Sequence, residues 1–221
     1  MARFARLVVP GYPHHITQRG VRSIDIFADD GDRLAYLGFM AEETERFGVT
    51  VLAWCLMTNH VHLIAQPVEN DSLARAIGEA HRRYTRMKNF AEGVRGYLFQ
   101  GRFGSCVLDQ QHLLAAGRYV ERNPVNAKLV KSPLDYHWSS CRFHCRLAEN
   151  DPLVSKRRLP EMVGNWQEFV HEWDDQAEGR ILAGTRTGRP VGGDEFVDRL
   201  EALADRHLRP RPAGRPVGGG K

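Results

Sequence analysis

The chain has no apolar run approaching the ~18 residues that a membrane-spanning helix needs. Its opening residues, Met1-Ala2-Arg3-Phe4-Ala5-Arg6-Leu7-Val8-Val9-Pro10, lack the apolar stretch and small-residue cleavage site of a secretory signal. Both absences set the expectation of a cytoplasmic protein with no membrane partner. Cysteine is scarce: Cys55, Cys106, Cys141 and Cys145 are the four in 221 residues, without the spacing of a secreted disulfide scaffold. A reducing compartment suits them. His137, Cys141 and Cys145 recur every four residues, but three such residues without a partner cluster make a poor zinc site. There is no Gly-x-Ser-x-Gly nucleophile elbow, no His-Glu-x-x-His zinc helix and no phosphate-binding loop. Those absences argue against serine hydrolases, zincin proteases and P-loop nucleotide hydrolases.

What is present is basic and unevenly placed. Net charge is +4 and the isoelectric point is about 9.0. Residues 81–102 hold Arg82, Arg83, Arg86, Lys88, Arg95 and Arg102 against one acid, Glu92. Residues 206–221 hold five cations and no acid. The first cluster is interleaved with Tyr84, Phe90, Tyr97 and Phe99, and Phe103 follows it. Cations beside aromatics suit a polyanion with stackable bases, so nucleic acid is the expected partner. Arg82, Arg83, Tyr84, Arg86, Lys88 and Arg102 are the candidate contacts. Gly188-Arg189-Pro190-Val191-Gly192-Gly193 recurs at 214–219. Arg189 and Arg215, in these narrow segments, are candidates for a DNA groove, and a Gly/Pro linker and tail is the competing reading.

Periodicity predicts a strand over 12–19, a helix over 30–47 capped by Asp29 or Asp30, and a strand over 49–57. Thr58-Asn59 is a turn signal, and a strand over 60–66 completes a hairpin. A helix from Asp71 or Ser72 to about 89 follows, then a strand region at 97–108 and a helix over 111–122. Asn123-Pro124 reads as the start of a short helix, with Asn123 as N-cap. Residues 135–140 begin a helical segment, and 159–174 and 194–206 read as helices. The order fits an α+β fold, an antiparallel sheet of the ferredoxin-like, split βαβ kind with one face open for a site. The expected divisions are a domain at 1–130, a helical extension at 131–180 and a basic Gly/Arg/Pro-rich tail with a short helix at 181–221.

His60-Val61-His62 supplies the chemistry. On a strand, His60 and His62 share one face while Val61 and Leu63 point into a core. Two imidazoles leave positions open on a divalent ion, which then acts as a Lewis acid. Alone the pattern is weak, with roughly 0.2 chance occurrences in a chain of this composition. Tyrosine is the remaining nucleophile type: Tyr119, with Asn123 one helical turn on and Arg118 and Arg122 beside it, is the first candidate, and Tyr84 on the basic helix is the other, where a stacking role suits it better.

Five ordered stretches over about residues 5–145 resemble the single-tyrosine HUH transposases, most closely the REP-associated tyrosine transposases. They are residues 11–20, 57–64, 99–103, 118–125 and 138–140. The resemblance implies an HUH endonuclease fold. It also implies cleavage and rejoining of single-stranded or hairpin DNA with palindromic repeats, with Mg2+ or Mn2+ on His60 and His62. Tyr119 would form a 5′-phosphotyrosine and free a 3′-OH. Asn123 would complete the metal site where some relatives carry Gln. Apart from the resemblance, Arg118 and Arg122 beside Tyr119 are candidate DNA contacts. Relatives that act as dimers make a homodimer an open expectation. A bound enzyme would associate with the nucleoid. The competing readings are a domesticated, non-catalytic hairpin-binding protein and a phosphodiesterase that uses water.

Overall fold

Two stretches in which side chains alternate between faces pair at the centre of the sheet. In the computed structural model, which describes residues 6–209, they are β1 (His14–Arg19) and β3 (His60–Pro67). They run antiparallel, with Ile16 opposite Leu63, Thr17 opposite His62 and Arg19 opposite His60. β2 (Val49–Leu56) flanks β3 and β4 (Gly104–Val107) flanks β1, giving the order β2-β3-β1-β4. All neighbours are antiparallel. With α1 (Asp30–Arg46) between β1 and β2 and α2 (Ser72–Glu92) between β3 and β4, this is the ferredoxin-like βαββαβ arrangement.

Local signals explain the borders. Asp29 caps α1 by accepting from the Asp32 amide at 2.9 Å, and Asp109 caps α3 (Gln110–Asn126) by accepting from the His112 amide at 2.8 Å. Gly93 ends α2 in the left-handed region at φ 66°, which costs glycine little. On one face of the sheet, Ile16, Val61 and Leu63 bury against Tyr36, Leu37 and Met40 of α1 and Leu73, Ile77 and Tyr84 of α2. On the other, Ile64, Cys55 and Cys106 meet Ala116, Tyr119 and Val120 of α3 and Ile181 of α6 (Asp175–Thr187). The second face is therefore covered rather than open.

The chain after α3 serves the sheet. Trp138, Ser139 and Ser140 do not form a helix but run along the edge of β2, with Ser139 bridging Cys55, the Leu56 amide donating to the Trp138 carbonyl and the Ser140 amide to the Trp54 carbonyl. They lead into the short α4 (Cys141–His144). The helix expected over 159–174 is instead a 3-10 turn at Pro160–Met162 and a one-turn α5 (Trp166–Phe169). Val191 clamps the opposite edge, donating to the Val107 carbonyl at 2.8 Å and accepting from the Asp109 amide at 3.1 Å. Each clamp covers part of an edge that would otherwise leave backbone groups unpaired. Gly188 ends α6 at φ 76°, and the Gly193 amide donates to Asp109 as α7 (Asp194–Ala204) begins. The first Gly-Arg-Pro segment is thus a helix stop and edge clamp, with Arg189 half-buried within it. The second copy, with Arg215, lies outside the described residues.

Three further expectations are corrected. Asn123 does not begin a new helix: α3 continues through Pro124 to Asn126. Proline in the last turn forfeits one amide bond, and its fixed φ is already helical. Only 104–107 of the region 97–108 is a strand, because Gly96 and Gly101 take positive φ and leave Phe99 as an isolated bridge to Gly20. Residues 181–187 continue α6 and do not open a tail.

Candidate active site

The alternation that buries Val61 and Leu63 against α1 and α2 turns His60 and His62 toward α3. Tyr119 reaches down from α3, its ring edge-on to His62 with centroids 5.5 Å apart. The His60 and His62 rings are 4.9 Å apart. Asn123, one turn beyond Tyr119, lies near both the His60 imidazole, whose pKa it raises, and the Tyr119 hydroxyl, whose pKa it lowers. Residues from one strand and one helix thus converge within a single chain.

Each ring has a second partner. His60 Nδ1 lies 2.6 Å from Asn59 Oδ1, and the Asn59 amide nitrogen donates to the Ser23 carbonyl at 3.3 Å. His60 Nδ1 therefore carries its hydrogen and Nε2 keeps its lone pair. His62 Nδ1 lies 3.0 Å from His15 Nε2, and His15 Nδ1 lies 2.6 Å from Thr185 Oγ1 on α6.

Burial sets the charge state. It lowers His60 to about 4, with the Arg19 guanidinium adding to the effect, and His15 to about 3. Burial also holds His62 well below its ordinary value, helped by His15, His60 and Arg19. All three are neutral at pH 7, the form that ligates a metal. Tyr119 is pushed up to about 12, chiefly by burial, against the pull of Asn123. Among the described residues no three His, Cys, Asp or Glu side chains cluster as a metal site. Two neutral imidazoles and one amide oxygen still fit a divalent cation, with Asn123 as the oxygen donor.

The expected DNA contacts divide. Arg82, Arg86 and Arg102 are exposed and line a groove of about 710 Å³ between α2 and residues 94–103, although Arg82 is held in a two-pronged ion pair by Glu79. Arg6, Arg95 and Tyr97 line it too, and no acid does. Arg83 is instead paired with Glu42 and Glu43, and Lys88 is buried between Asp32 and Glu92. Tyr84 is fully buried and donates to the Ile26 carbonyl, so it cannot stack on a base. Arg118 reaches Glu172 and Asp174, and Arg122 donates to the His171 and Glu172 carbonyls. These two arginines anchor the chain leading into α6 and face no open surface.

Sequence reasoning missed Arg19, His15 and Thr185. Arg19 is exposed, opposite His60 and on the same face. The alternation through positions 15, 17 and 19 could have found it and His15. Thr185 gives no such signal, because only the docking of α6 brings it to the sheet. The groove adjoins Arg19: the Gln100 amide donates to the Arg19 carbonyl at 2.8 Å, and the Gly20 amide to the Asn59 carbonyl at 2.9 Å.

Residues 11–123 match the family model described as Transposase IS200 like, just over half the chain. The chain belongs to the IS200-like transposase family. No curated protein matches the transposase by sequence. Among solved structures, one described as a REP-associated tyrosine transposase bound to a REP hairpin superposes with a TM-score of 0.57. It covers 71% of this chain and 92% of that one at 16% identity, so the likeness concerns the fold. A protein from Deinococcus radiodurans, itself named a transposase only provisionally, covers 55% of this chain and 97% of that one at 17% identity. Its TM-score of 0.37 is too low to inform the fold.

Proposed function

We propose that this transposase cleaves and rejoins hairpin-bearing single-stranded DNA through a 5′-phosphotyrosine on Tyr119. The observation that carries the reading is the convergence of Tyr119, His60, His62 and Asn123 within one chain. Membership of the family supports it. The structural neighbour's hairpin supports the choice of DNA partner.

DNA would lie along the groove beside α2, with Arg86 and Arg102 on its phosphates and Tyr97, 89% exposed, under a base. Arg19 would carry the strand from the groove to His60. His60, His62 and Asn123 Oδ1 would hold Mg2+ or Mn2+, which supplies Lewis-acid polarisation of the scissile phosphate. Imidazole nitrogen suits Mn2+ better than the harder Mg2+. Tyr119 Oη attacks phosphorus, its proton passing to solvent, and the bond to the 3′-oxygen breaks. That oxygen takes a proton from solvent and departs as a 3′-OH. Attack by a 3′-OH on the phosphotyrosine reverses the steps and reseals a strand, because the phosphodiester energy is conserved. Asn123 orients the phenol, and Arg19 offsets the charge that develops on phosphorus.

One observation favours a second reading, hairpin binding without cleavage: Tyr119 and His62 are only 6% and 3% exposed beneath α3 and α6. Incubation of the protein with a hairpin-bearing single strand and Mn2+ separates the two. Cleavage predicts a denaturation-resistant protein–DNA adduct that EDTA prevents. Hairpin binding with no adduct under any metal supports the second reading and overturns the first.

A further inference from the structure

The contacts behind His62 form a continuous chain whose hydrogens can be assigned. Thr185 Oγ1 lies 2.7 Å from the Ile181 carbonyl, which only accepts, so the threonine hydrogen is committed there. Thr185 Oγ1 must then act as acceptor toward His15 Nδ1 at 2.6 Å. A neutral His15 with its hydrogen on Nδ1 presents a lone pair on Nε2. His62 Nδ1, 3.0 Å away, must supply the hydrogen for that contact. His62 is thereby left with a bare Nε2 on the side away from His15. All of these groups are buried: His15 is 0% exposed and Thr185 and His62 are 3%. Water therefore has little access to substitute for any link.

The fold invests in this contact. α6 approaches β4 closely because Gly184 has no side chain, and a Cβ there would collide with Val191 and meet Cys106 Cβ at 3.4 Å. Cys106 pairs with His15 in the sheet register, and its thiol lies 3.2 Å from Thr185 Oγ1. The close approach sets Thr185 beside His15.

We infer that Thr185 and His15 are positioning residues which fix the tautomer and ring orientation of His62 so that its Nε2 faces the metal position. The inference rests on the metal-assisted reading proposed above. It adds that a helix beyond the matched residues 11–123 completes the site from behind. Outer partners of ligating histidines typically change metal affinity by about 10–100-fold.

The test begins on the unaltered, metal-free protein. Long-range 1H–15N correlation spectra should show both His15 and His62 with hydrogen on Nδ1 at neutral pH. Thr185→Val keeps the side chain's shape and removes the acceptor. It should leave His62 in mixed tautomers and weaken Mn2+ binding, read by calorimetry, about 10–100-fold. Thr185→Ser should restore both. An Nε2-protonated His62 in the unaltered protein overturns the inference, as does Thr185→Val binding Mn2+ as tightly as the parent. If Thr185→Val fails to fold, the parent spectrum and the serine variant decide. His60→Ala separates the two levels. If it leaves Mn2+ binding unchanged, the metal reading fails, and the tautomers alone then judge the relay.

Discussion

Both faces of the sheet are buried, and they are built from different materials. Toward α1 and α2, Ile16, Val61 and Leu63 meet Leu37, Met40, Leu73 and Ile77. The polar groups on that side end locally, as where the Tyr36 hydroxyl meets His81 at 3.0 Å. Toward α3 and α6, the same strands present His15, His60 and His62, the first and last of them linked through Thr185 to the Ile181 carbonyl. An apolar side chain at position 62 would have packed at least as well. Buried imidazoles stabilise little and cost free energy unless every nitrogen is partnered. The first face holds the fold together. The second gives up stability to hold two unprotonated nitrogens beside a tyrosine, which is the expected signature of a site.

If the faces differ in this way, damage to each should appear in a different measurement. The largest stability loss should come from Leu63→Ala, 1% exposed in the first face. About 2–5 kcal/mol should disappear in urea unfolding. The fraction still folded should bind Mn2+ and form adduct as before; loss of both in folded protein would mean that the faces are not separable. A smaller effect is expected at the groove, which belongs to neither face. Replacing Arg86 and Arg102 together by alanine should lower the salt dependence of hairpin binding by about two contacts, with unfolding unchanged. An unaltered salt slope would remove the groove from the DNA path.

The smallest effect per residue is a pH dependence. Burial lowers His14 to about 4, and His15 and His81 to about 3, from an unfolded value of 6.5. Below pH 6.5 the unfolded chain takes up protons that the folded chain refuses, so stability falls as pH drops toward 4. Between pH 7 and 6 each histidine should account for less than about 1 kcal/mol. His15→Gln should flatten the dependence by roughly one histidine's share. No change in slope would show that His15 is not held neutral by the fold.

The sheet was legible because its strands alternate and α1 carries a cap at Asp29. His60, His62 and Tyr119 were legible for the same reason: each occupies a face that periodicity defines. The failures share a cause. Arg118 and Arg122 look free in sequence, because their partners lie about 50 residues on, at 171–174. Tyr84 stood on the apolar stripe with Leu73 and Ile77, and its basic neighbours obscured that placement. α6 was hidden by Gly179 and Gly184, which weaken its helix signal. Gly184 is needed for its close approach to β4. Local pattern reports elements and faces; it does not report which distant segment will cover them.

The most direct measurement is the site of covalent attachment. A hairpin-bearing single strand should be reacted with the protein and Mn2+, the adduct digested with protease and nuclease, and the residual peptide sequenced by mass spectrometry. The nucleotide should be linked through its 5′-phosphate to Tyr119, and Tyr119→Phe should bind the hairpin and give no adduct. Attachment at another residue, or an undiminished adduct in Tyr119→Phe, would contradict the assignment of the second face as a phosphotyrosine site.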